Sequence, residues 1–283
     1  MLKITEIPEW RSYANELRAK GHTIGLVPTM GALHEGHAAL FRAGKDRGDI
    51  VLATIFVNPR QFNDQSDLER YPSTPEHDLA LALAHGVDCL VEPSLEAMWP
   101  DYPALTPTTV RVGGLGERYE GAERPGHFDG VASVVAKLMV ITGPARAYFG
   151  EKDFQQLAIV RQMVRDLAFD VEVVGCAIVR DPDGLALSSR NVLLSSEGRQ
   201  KALALSTALA LVAVRPGVAS AQRAALRSTL NEAGVEIGYA DVVDPLTLLP
   251  SRDDESGIRR ALVAGIIDGV RLIDNGPVTI KEG

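Results

Sequence analysis

Several features typical of secreted, membrane and nucleic-acid-binding proteins are missing from this chain of 283 residues. No run approaches about eighteen uninterrupted apolar residues, and the N-terminus lacks the apolar segment of a signal peptide. The formal charge of −8 comes without a dense Lys/Arg run, which disfavours nucleic-acid and membrane surfaces as partners. The composition therefore predicts a cytoplasmic protein in which any anion site is built locally.

Cysteine and the common dinucleotide motifs are scarce or absent. The two cysteines, Cys89 and Cys176, lie in apolar strand-like runs, so buried reduced thiols are favoured over a disulfide or a metal pair. No G-x-G-x-x-G triplet opens a helix in the first part of the chain, and there is no G-x-x-x-x-G-K-[ST] loop. Nicotinamide and flavin enzymes are thus disfavoured, and a mononucleotide would need another arrangement.

Short apolar runs alternate with helix-like segments over the first part of the chain. Strand-like runs stand at 23–27, 49–57, 89–92, 147–149 and 171–179. Alternation of strands with helices of about ten or more residues predicts linked βαβ units, that is, a doubly wound α/β domain with a parallel sheet over residues 1–178. Residues 179–283 predict a smaller α+β domain with antiparallel strands and helices on one side. We expect a polar loop at 60–73 and a Pro/Gly-rich lid at 93–123.

The stretch from Pro28 to His37 joins a predicted strand to a predicted helix through two glycines and two histidines. Ligands bind at the carboxyl ends of strands in such sheets, and a helix beginning near Gly36 would present unpaired N–H groups and a positive dipole end. We therefore expect this turn to bind an anion. His34 and His37 are three residues apart, whereas zinc-protease histidines are four apart, so a metal pair is disfavoured. Capping or packing histidines are the alternative to an anion site.

Two later segments carry phosphate-binding chemistry. Gly150–Asp153 follows a predicted strand and combines a backbone turn, the Lys152 ammonium and a helix start. Ser188, Ser189 and Arg190 add two hydroxyls and a guanidinium suited to bidentate phosphate binding. Taken singly, the first segment is also typical of an exposed acidic helix start and the second of an ordinary turn with a surface arginine.

A few uncharged residues near predicted strand ends fit a small polar substrate. Gln61 and Gln156 can each bond a hydroxyl and a carboxylate, although solvated surface glutamines are the commoner case. Five apolar residues could line one side of such a site, and core packing explains them equally well. They are Met30, Phe56, Val131, Val134 and Val135.

Five segments, VPTMGALHEGH, FVNPRQF, RPGHFDGV, FGEKDFQQL and GLALSSRN, occur in this order, and with YADVVDP and DGVRLIDN they span nearly the whole chain. Together they resemble the pantothenate synthetase (pantoate–β-alanine ligase) family of the HxGH nucleotidyltransferase-like superfamily. The resemblance implies a Rossmann-like catalytic domain and a C-terminal lid domain. It further implies ATP-dependent condensation of pantoate with β-alanine through an enzyme-bound pantoyl adenylate, with AMP and pyrophosphate released. Magnesium bound to the phosphates and a homodimer are implied as well.

The resemblance also implies site residues. Catalytic roles fall to His34, His37, Lys152, Ser188, Ser189 and Arg190. ATP contacts fall to Met30, Gly31, Ala32, Leu33, His34, Glu35, Gly36, His37, Gly150, Glu151, Lys152, Asp153, Val179, Leu187, Ser188, Ser189 and Arg190. Pantoate and β-alanine contacts fall to Gln61, Gln156, Pro28, Met30, Asn58, Val131, Val134 and Val135.

Four positions depart from the family pattern. Arg60 stands where methionine is usual, Phe154 where tyrosine is usual, Leu187 where methionine is usual, and Asp129 where arginine is frequent. None of them removes a proposed catalytic group. The alternative function is an HxGH nucleotidyltransferase that moves a nucleotide onto a phosphorylated small molecule, and a non-enzymatic nucleotide-binding regulator is a third hypothesis.

Overall fold

The computed structural model describes residues 1–104 and 108–283, apart from the side chain of Gln65. The chain forms two compact units. The first comprises Met1–Glu151 and Gln156–Ala177, and the second comprises Lys152–Gln155 and Ile178–Gly283. Residues 152–155 therefore belong to the second unit, although the residues on both sides of them in sequence belong to the first.

A six-stranded parallel sheet forms the centre of the first unit. Its strands are β1 (Leu2–Ile4), β2 (Ile24–Thr29), β3 (Ile50–Ile55), β4 (Cys89–Val91), β5 (Ala145–Gly150) and β6 (Val171–Cys176). They lie in the order β1-β4-β3-β2-β5-β6, and all neighbours are parallel. The apolar, partly β-branched strand residues are buried because helices cover the sheet. The predicted parallel α/β fold is confirmed.

The connections between these strands run in both directions along the sheet. The helices of this part of the chain are α1 (Ile7–Ala19), α2 (Glu35–Asp46), α3 (Gln65–Glu69), α4 (Pro75–Ala84), α5 (Leu95–Met98), α6 (Glu120–Glu123), α7 (His127–Thr142) and α8 (Phe154–Asp166). Since parallel crossovers are right-handed, connections of opposite direction place helices on opposite faces, and α1 contacts α7 while α2 contacts α4. The order reverses between β2 and β5, so the ends of these two strands flank the switch point where ligands bind in such sheets.

The second unit has its own sheet and core. Strands β7 (Glu236–Val243), β8 (Gly257–Ile267) and β9 (Val270–Ile280) form an antiparallel sheet in sequence order. Helices α9 (Ser196–Val214) and α10 (Ala219–Glu232) contact each other and this sheet. Buried side chains of both helices and all three strands form one apolar cluster. The expected α+β architecture is confirmed.

Some predicted boundaries differ from the observed ones. The run 49–57 is a strand only over β3, because Asn58 caps a 3-10 turn at Pro59–Gln61. The segment 60–73 is not all loop, since α3 lies within it. The segment 93–123 contains α5, α6 and a 3-10 turn at Leu115–Glu117, while its residues 105–107 lie outside the described part. In the described residues no helix has both the length and the apolarity to cross a bilayer.

Both cysteines are free thiols, but only one is fully enclosed. Cys89 is buried, whereas Cys176 is half-buried, so the expectation of two buried thiols is wrong for the second. Burial, followed by neighbouring acidic groups, raises the pKa of Cys89 to about 12 and that of Cys176 to about 11. The thiol form therefore predominates for both at neutral pH.

A buried carboxylate joins the starts of β3 and β5. Asp49, 2% exposed, accepts hydrogen bonds from the Tyr148 hydroxyl and from Arg146, both at 2.5 Å. Burial, reinforced by the bond to Asp49, raises the pKa of Tyr148. The phenol thus stays protonated and donates to the carboxylate.

We expect Tyr148→Phe to lower the free energy of unfolding by about 1–3 kcal/mol, because a buried carboxylate loses a donor. The measurement is urea-induced unfolding followed by circular dichroism. Tyr13→Phe is the matched control, with an expected change within about 0.5 kcal/mol, since no hydrogen bond of that hydroxyl is found among the described residues. Equal losses in the two variants would contradict the assigned role of the Tyr148–Asp49 bond.

Candidate functional site

A side chain of α4 accepts hydrogen bonds from the backbone of the turn after β2. Gly31 and Ala32 have positive φ angles of 80° and 49°, which turn successive N–H groups inward. Asp78, 2% exposed, accepts from Ala32 N at 2.9 Å and from Leu33 N at 2.7 Å. Thr74 Oγ1 donates to the same carboxylate at 2.9 Å. Inward-facing N–H groups of this kind form an anion-binding hollow called a nest. Here the carboxylate of Asp78 already fills it.

The two histidines of the turn cap helix α2 reciprocally. His34 is the N-cap, and its Nδ1 accepts from Gly36 N at 3.0 Å, while His37 Nδ1 accepts from His34 N at 3.2 Å. The ring centroids are 4.2 Å apart. The capping interpretation is confirmed. Since a backbone N–H can only donate, both Nδ1 atoms are unprotonated, and in the neutral rings the proton lies on Nε2.

The expectation that this turn offers unpaired N–H groups to an anion is largely wrong. Donors to acceptors within the protein are the N–H groups of Gly31, Ala32, Leu33, His34, Gly36 and His37. Glu35, a predicted ATP contact, is exposed, and its carboxylate pairs with Arg42 at 3.3 Å and with His85 at 3.5 Å. Most backbone N–H groups of this turn are therefore already paired within the protein.

Gln61 is buried at the end of the 3-10 turn, directly against α7. Its backbone oxygen accepts from His127 Nδ1 at 2.7 Å, and the residue is 8% exposed. A Cβ at Gly130 would lie 2.2 Å from Arg60 O and 2.7 Å from Gln61 N, so only glycine permits this approach. Asn58, predicted as a substrate contact, is 1% exposed and turns both polar atoms of its side chain to protein groups.

The predicted apolar residues are distributed between a helix and a cavity. On α7, Val131, Val134 and Val135 are 2%, 6% and 4% exposed. Met30 lines a cavity of about 310 Å³ at the carboxyl ends of β2, β3 and β4. Its other lining residues are Gly31, Ala32, Ile55, Phe56, Val57, Pro72, Ser73, Pro75, Asp78, Glu92, Pro93 and Leu95. Pro28 is half-buried in β2, and Gln156 is half-buried in the first turn of α8.

Arg60, one of the four departures, packs against an aromatic ring. Its guanidinium carbon is 4.7 Å from the centroid of the Trp99 ring, and it donates to Ala104 O at 3.0 Å. Lys137 Nζ is 5.0 Å from the same centroid. Burial, and to a lesser extent Arg60, lowers the pKa of Lys137. The loop that carries Gln61 is thus tied to α7 by cation–π contacts.

The segment Gly150–Asp153 begins at the end of β5, beside the β2 turn in strand order. Gly150 and Glu151 belong to the first unit, whereas Lys152 and Asp153 belong to the second. Glu151–Asp153 is a 3-10 turn before α8. Lys152 Nζ lies 3.5 Å from Asp153 Oδ1.

Within the second unit, β9 holds the Lys152 segment. Asn275, 3% exposed, donates from Nδ2 to Lys152 O at 2.8 Å and accepts from Arg260 Nε at 2.7 Å. The Arg260 guanidinium carbon is 4.3 Å from the centroid of Phe154, another departure position. Asn275 therefore fixes the backbone at Lys152, and Arg260 packs on the side chain of Phe154.

The predicted Ser-Ser-Arg segment follows a short hairpin. Leu187 N donates to Val179 O at 3.0 Å, Arg180 pairs with Ala186, and the turn closes between Asp181 and Gly184. Arg180 makes a bidentate ion pair with buried Asp274 at 2.6 and 2.9 Å. Ser188 caps the 3-10 turn Ser189–Leu193 and accepts from Arg190 N at 3.3 Å.

Sequence reasoning missed the residues that position these groups. No local sequence pattern marks these residues, because each bonds to a partner 41 to 123 residues away in sequence. They are Asp78, Trp99, Asp274 and Asn275. In the described ranges, no group of three or more His, Cys, Asp or Glu side chains is arranged to hold a metal ion.

Comparisons with known proteins identify similar proteins along nearly the whole chain. The model of the family described as pantoate-beta-alanine ligase matches residues 3–277. A pantothenate synthetase of Cereibacter sphaeroides is 50% identical over 276 residues, which cover 96% of this chain and 98% of the relative. One from Paenarthrobacter aurescens is 48% identical, with 94% and 96% covered.

Solved structures of similar proteins cover nearly the whole chain. A pantothenate synthetase from Thermus thermophilus superposes with a TM-score of 0.89 at 46% identity, covering 98% of this chain and 99% of its own. A pantoate-beta-alanine ligase from Francisella tularensis, complexed with beta-gamma ATP and beta-alanine, gives a TM-score of 0.81 at 34% identity, covering 98% and 97%.

The role of Asp78 generates a stability prediction. We expect Asp78→Asn to lower the free energy of unfolding by about 2 kcal/mol, because an amide can place only one oxygen against the two N–H groups. Amide hydrogen exchange at Ala32 and Leu33 should accelerate. The control is Asp46→Asn, an exposed carboxylate on α2, expected to stay within about 0.5 kcal/mol. Unchanged exchange at Leu33 would contradict the role of Asp78.

Proposed function

The chain belongs to the pantoate–β-alanine ligase family and is therefore an acid–amine ligase, and we propose that it joins pantoate to β-alanine in a reaction driven by ATP. The proposed route has two steps. The pantoate carboxylate attacks the α-phosphorus of ATP and displaces pyrophosphate. The β-alanine amine then attacks the acyl carbon of the pantoyl adenylate, giving pantothenate and AMP.

In the first unit, the two histidines supply donors to the nucleotide. Each Nδ1 is committed to a backbone N–H, so each ring presents Nε2–H as its donor. Negative charge builds on the phosphate oxygens in the transition state, and donors fixed in advance stabilise it without reorganisation. Reciprocal capping at the start of α2 fixes both rings in this way.

In the second unit, the ammonium of Lys152 and the hydroxyl and guanidinium groups of Ser188, Ser189 and Arg190 are the proposed phosphate contacts. Asn275 fixes the backbone of Lys152, and the hairpin tied to Asp274 fixes the start of the Ser-Ser-Arg segment. We assign the β- and γ-phosphates to these groups as pyrophosphate leaves. Gly150, Glu151, Asp153, Val179 and Leu187 are proposed as further ATP contacts.

The acid is proposed to bind in the first unit through Gln61 and Gln156. Met30, Pro28, Val131, Val134 and Val135 supply apolar surface for its carbon skeleton. The mixed anhydride is easily hydrolysed, so segment 60–73 and the described residues of segment 93–123 are proposed to exclude water until the amine arrives. The two units keep their proposed roles as a catalytic domain and a lid domain.

Magnesium is proposed to arrive bound to the ATP phosphates and to neutralise part of their charge. A homodimer and a cytoplasmic location stay predictions.

The observation that supports this proposal best is the coincidence of family membership with the fixed Nε2–H pair. The test is pantoate-dependent exchange of labelled pyrophosphate into ATP in the absence of β-alanine. We expect exchange with pantoate and none without it, because adenylate formation is reversible before the amine is added. Folded protein that shows no exchange would overturn the proposal, and a stable nucleotide adduct of a phosphorylated acceptor would support the nucleotidyltransferase alternative.

Two variants test the assigned phosphate contacts. His37→Asn retains an acceptor near the position of Nδ1 but has no Nε2–H, and Lys152→Ala removes the ammonium. Each should slow the exchange reaction by at least about thirtyfold, corresponding to about 2 kcal/mol of transition-state stabilisation. His22→Ala and Lys45→Ala, which change exposed residues of the same types, are the controls and should leave the rate unchanged. Wild-type exchange in His37→Asn or Lys152→Ala would refute the corresponding role.

A further inference from the structure

A buried chain of hydrogen bonds runs from an indole to the Gln61 side chain. Trp99 Nε1 donates to Asn58 Oδ1 at 3.0 Å, and Asn58 Nδ2 donates to Gln61 Oε1 at 3.0 Å. Gln61 Nε2 then lies 3.0 Å from Met30 Sδ. Trp99, Asn58 and Gln61 are 6%, 1% and 8% exposed, so water has little access to replace these partners.

The orientation of the Asn58 amide is determined by groups that cannot reverse. Its Oδ1 also lies 3.4 Å from Arg60 N, and its Nδ2 lies 3.2 Å from Gly130 O. An indole N–H and a backbone N–H only donate, and a carbonyl oxygen only accepts. A flipped Asn58 would place its NH2 against two donors and its oxygen against a carbonyl, and each unsatisfied buried group is costly.

The fixed Asn58 determines the orientation of Gln61 in turn. Because Asn58 presents Nδ2, Gln61 must place Oε1 toward it and Nε2 on the other side, at Met30. A glutamine side chain in solution offers either a donor or an acceptor, whereas here only the donor faces Met30. The thioether is a weak acceptor, so a substrate oxygen that reaches Nε2 gains a stronger bond than the sulfur provides.

We propose that Trp99 is a positioning residue that sets Gln61 as a donor, so that the acid site selects a carboxylate or hydroxyl oxygen over an N–H group. The inference rests on the proposed function for the identity of the acid. The Arg60 and Lys137 cations over the Trp99 ring hold the indole in place. Trp99 itself does not touch the substrate in this account.

Trp99→Phe removes the N–H and keeps an aromatic ring for the two cations. We expect the KM for pantoate to rise about tenfold, the change expected when one net hydrogen bond is lost, with the KM for ATP unchanged. Trp10→Phe is the matched control, because Trp10 is the other tryptophan, is fully buried, and its Nε1 has no partner among the described residues. Its KM for pantoate should equal that of the wild type.

A second variant reverses the chain of donors. Asn58→Asp presents oxygen to both Trp99 and Gln61, so Gln61 must turn Nε2 inward and Oε1 toward the acid. The KM for pantoate should then rise by about a hundredfold, which is more than in Trp99→Phe. The reason is that the hydrogen bond from Gln61 to the acid is replaced by repulsion between Gln61 Oε1 and an oxygen of the acid. Benzothienylalanine at position 99, which has the shape of tryptophan without its N–H, repeats the test if Trp99→Phe does not fold.

The amide orientation can be measured without any turnover, which separates this inference from the proposed function. In the wild type, nuclear Overhauser effects should connect the Gln61 side-chain NH2 to the Met30 methyl group, and they should weaken in Trp99→Phe but not in Trp10→Phe. If the nuclear Overhauser effects are present but pantoate is not turned over, the proposed function is wrong and the inferred orientation of the Gln61 amide is still supported. A folded Trp99→Phe whose KM for pantoate matches Trp10→Phe, or whose KM for ATP rises equally, would overturn the inference.

Discussion

The carboxylate of Asp78 is the constraint on which the first part of the site depends. It fills the nest formed by the turn after β2, where a phosphate would otherwise be expected to bind. With Ala32 and Leu33 held in this way, the chain enters α2 at a fixed position, and His34 and His37 can cap each other. The backbone N–H groups of the turn are thereby used within the protein, and the proposed phosphate donors are the two imidazole rings.

The same principle recurs in the second unit, where buried polar side chains orient proposed contacts without making them. Asp274 and Asn275 are neighbours on β9, yet one binds Arg180 of the hairpin and the other binds the backbone of Lys152. A single strand therefore positions two segments that are far apart in sequence. The buried charge of Asp274 is tolerated because it is paired with Arg180, and the buried amide of Asn275 is tolerated because it is hydrogen-bonded.

In the proposed acid site, donor-only and acceptor-only groups determine which atom a glutamine presents. The Trp99 indole, the Arg60 N–H and the Gly130 carbonyl leave Asn58 one orientation, and Asn58 leaves Gln61 one orientation. Gly130 is also the position at which α7 and the 3-10 turn come into backbone contact. The atom that Gln61 presents toward Met30 is thus set by Asn58 and by the groups that orient Asn58.

The sequence by itself determined the parallel α/β sheet, the smaller α+β unit and the family, because apolar periodicity and ordered motifs are local properties of the chain. It also located the turn at Pro28–His37 and the Gly150–Asp153 and Ser188–Arg190 segments. It could not choose between capping and anion binding for the histidines. The structure shows that the two histidines cap each other through short-range hydrogen bonds. The filling of the nest by Asp78 and the direction of the Gln61 amide were decided by tertiary structure alone, since each depends on a hydrogen-bond partner distant in sequence.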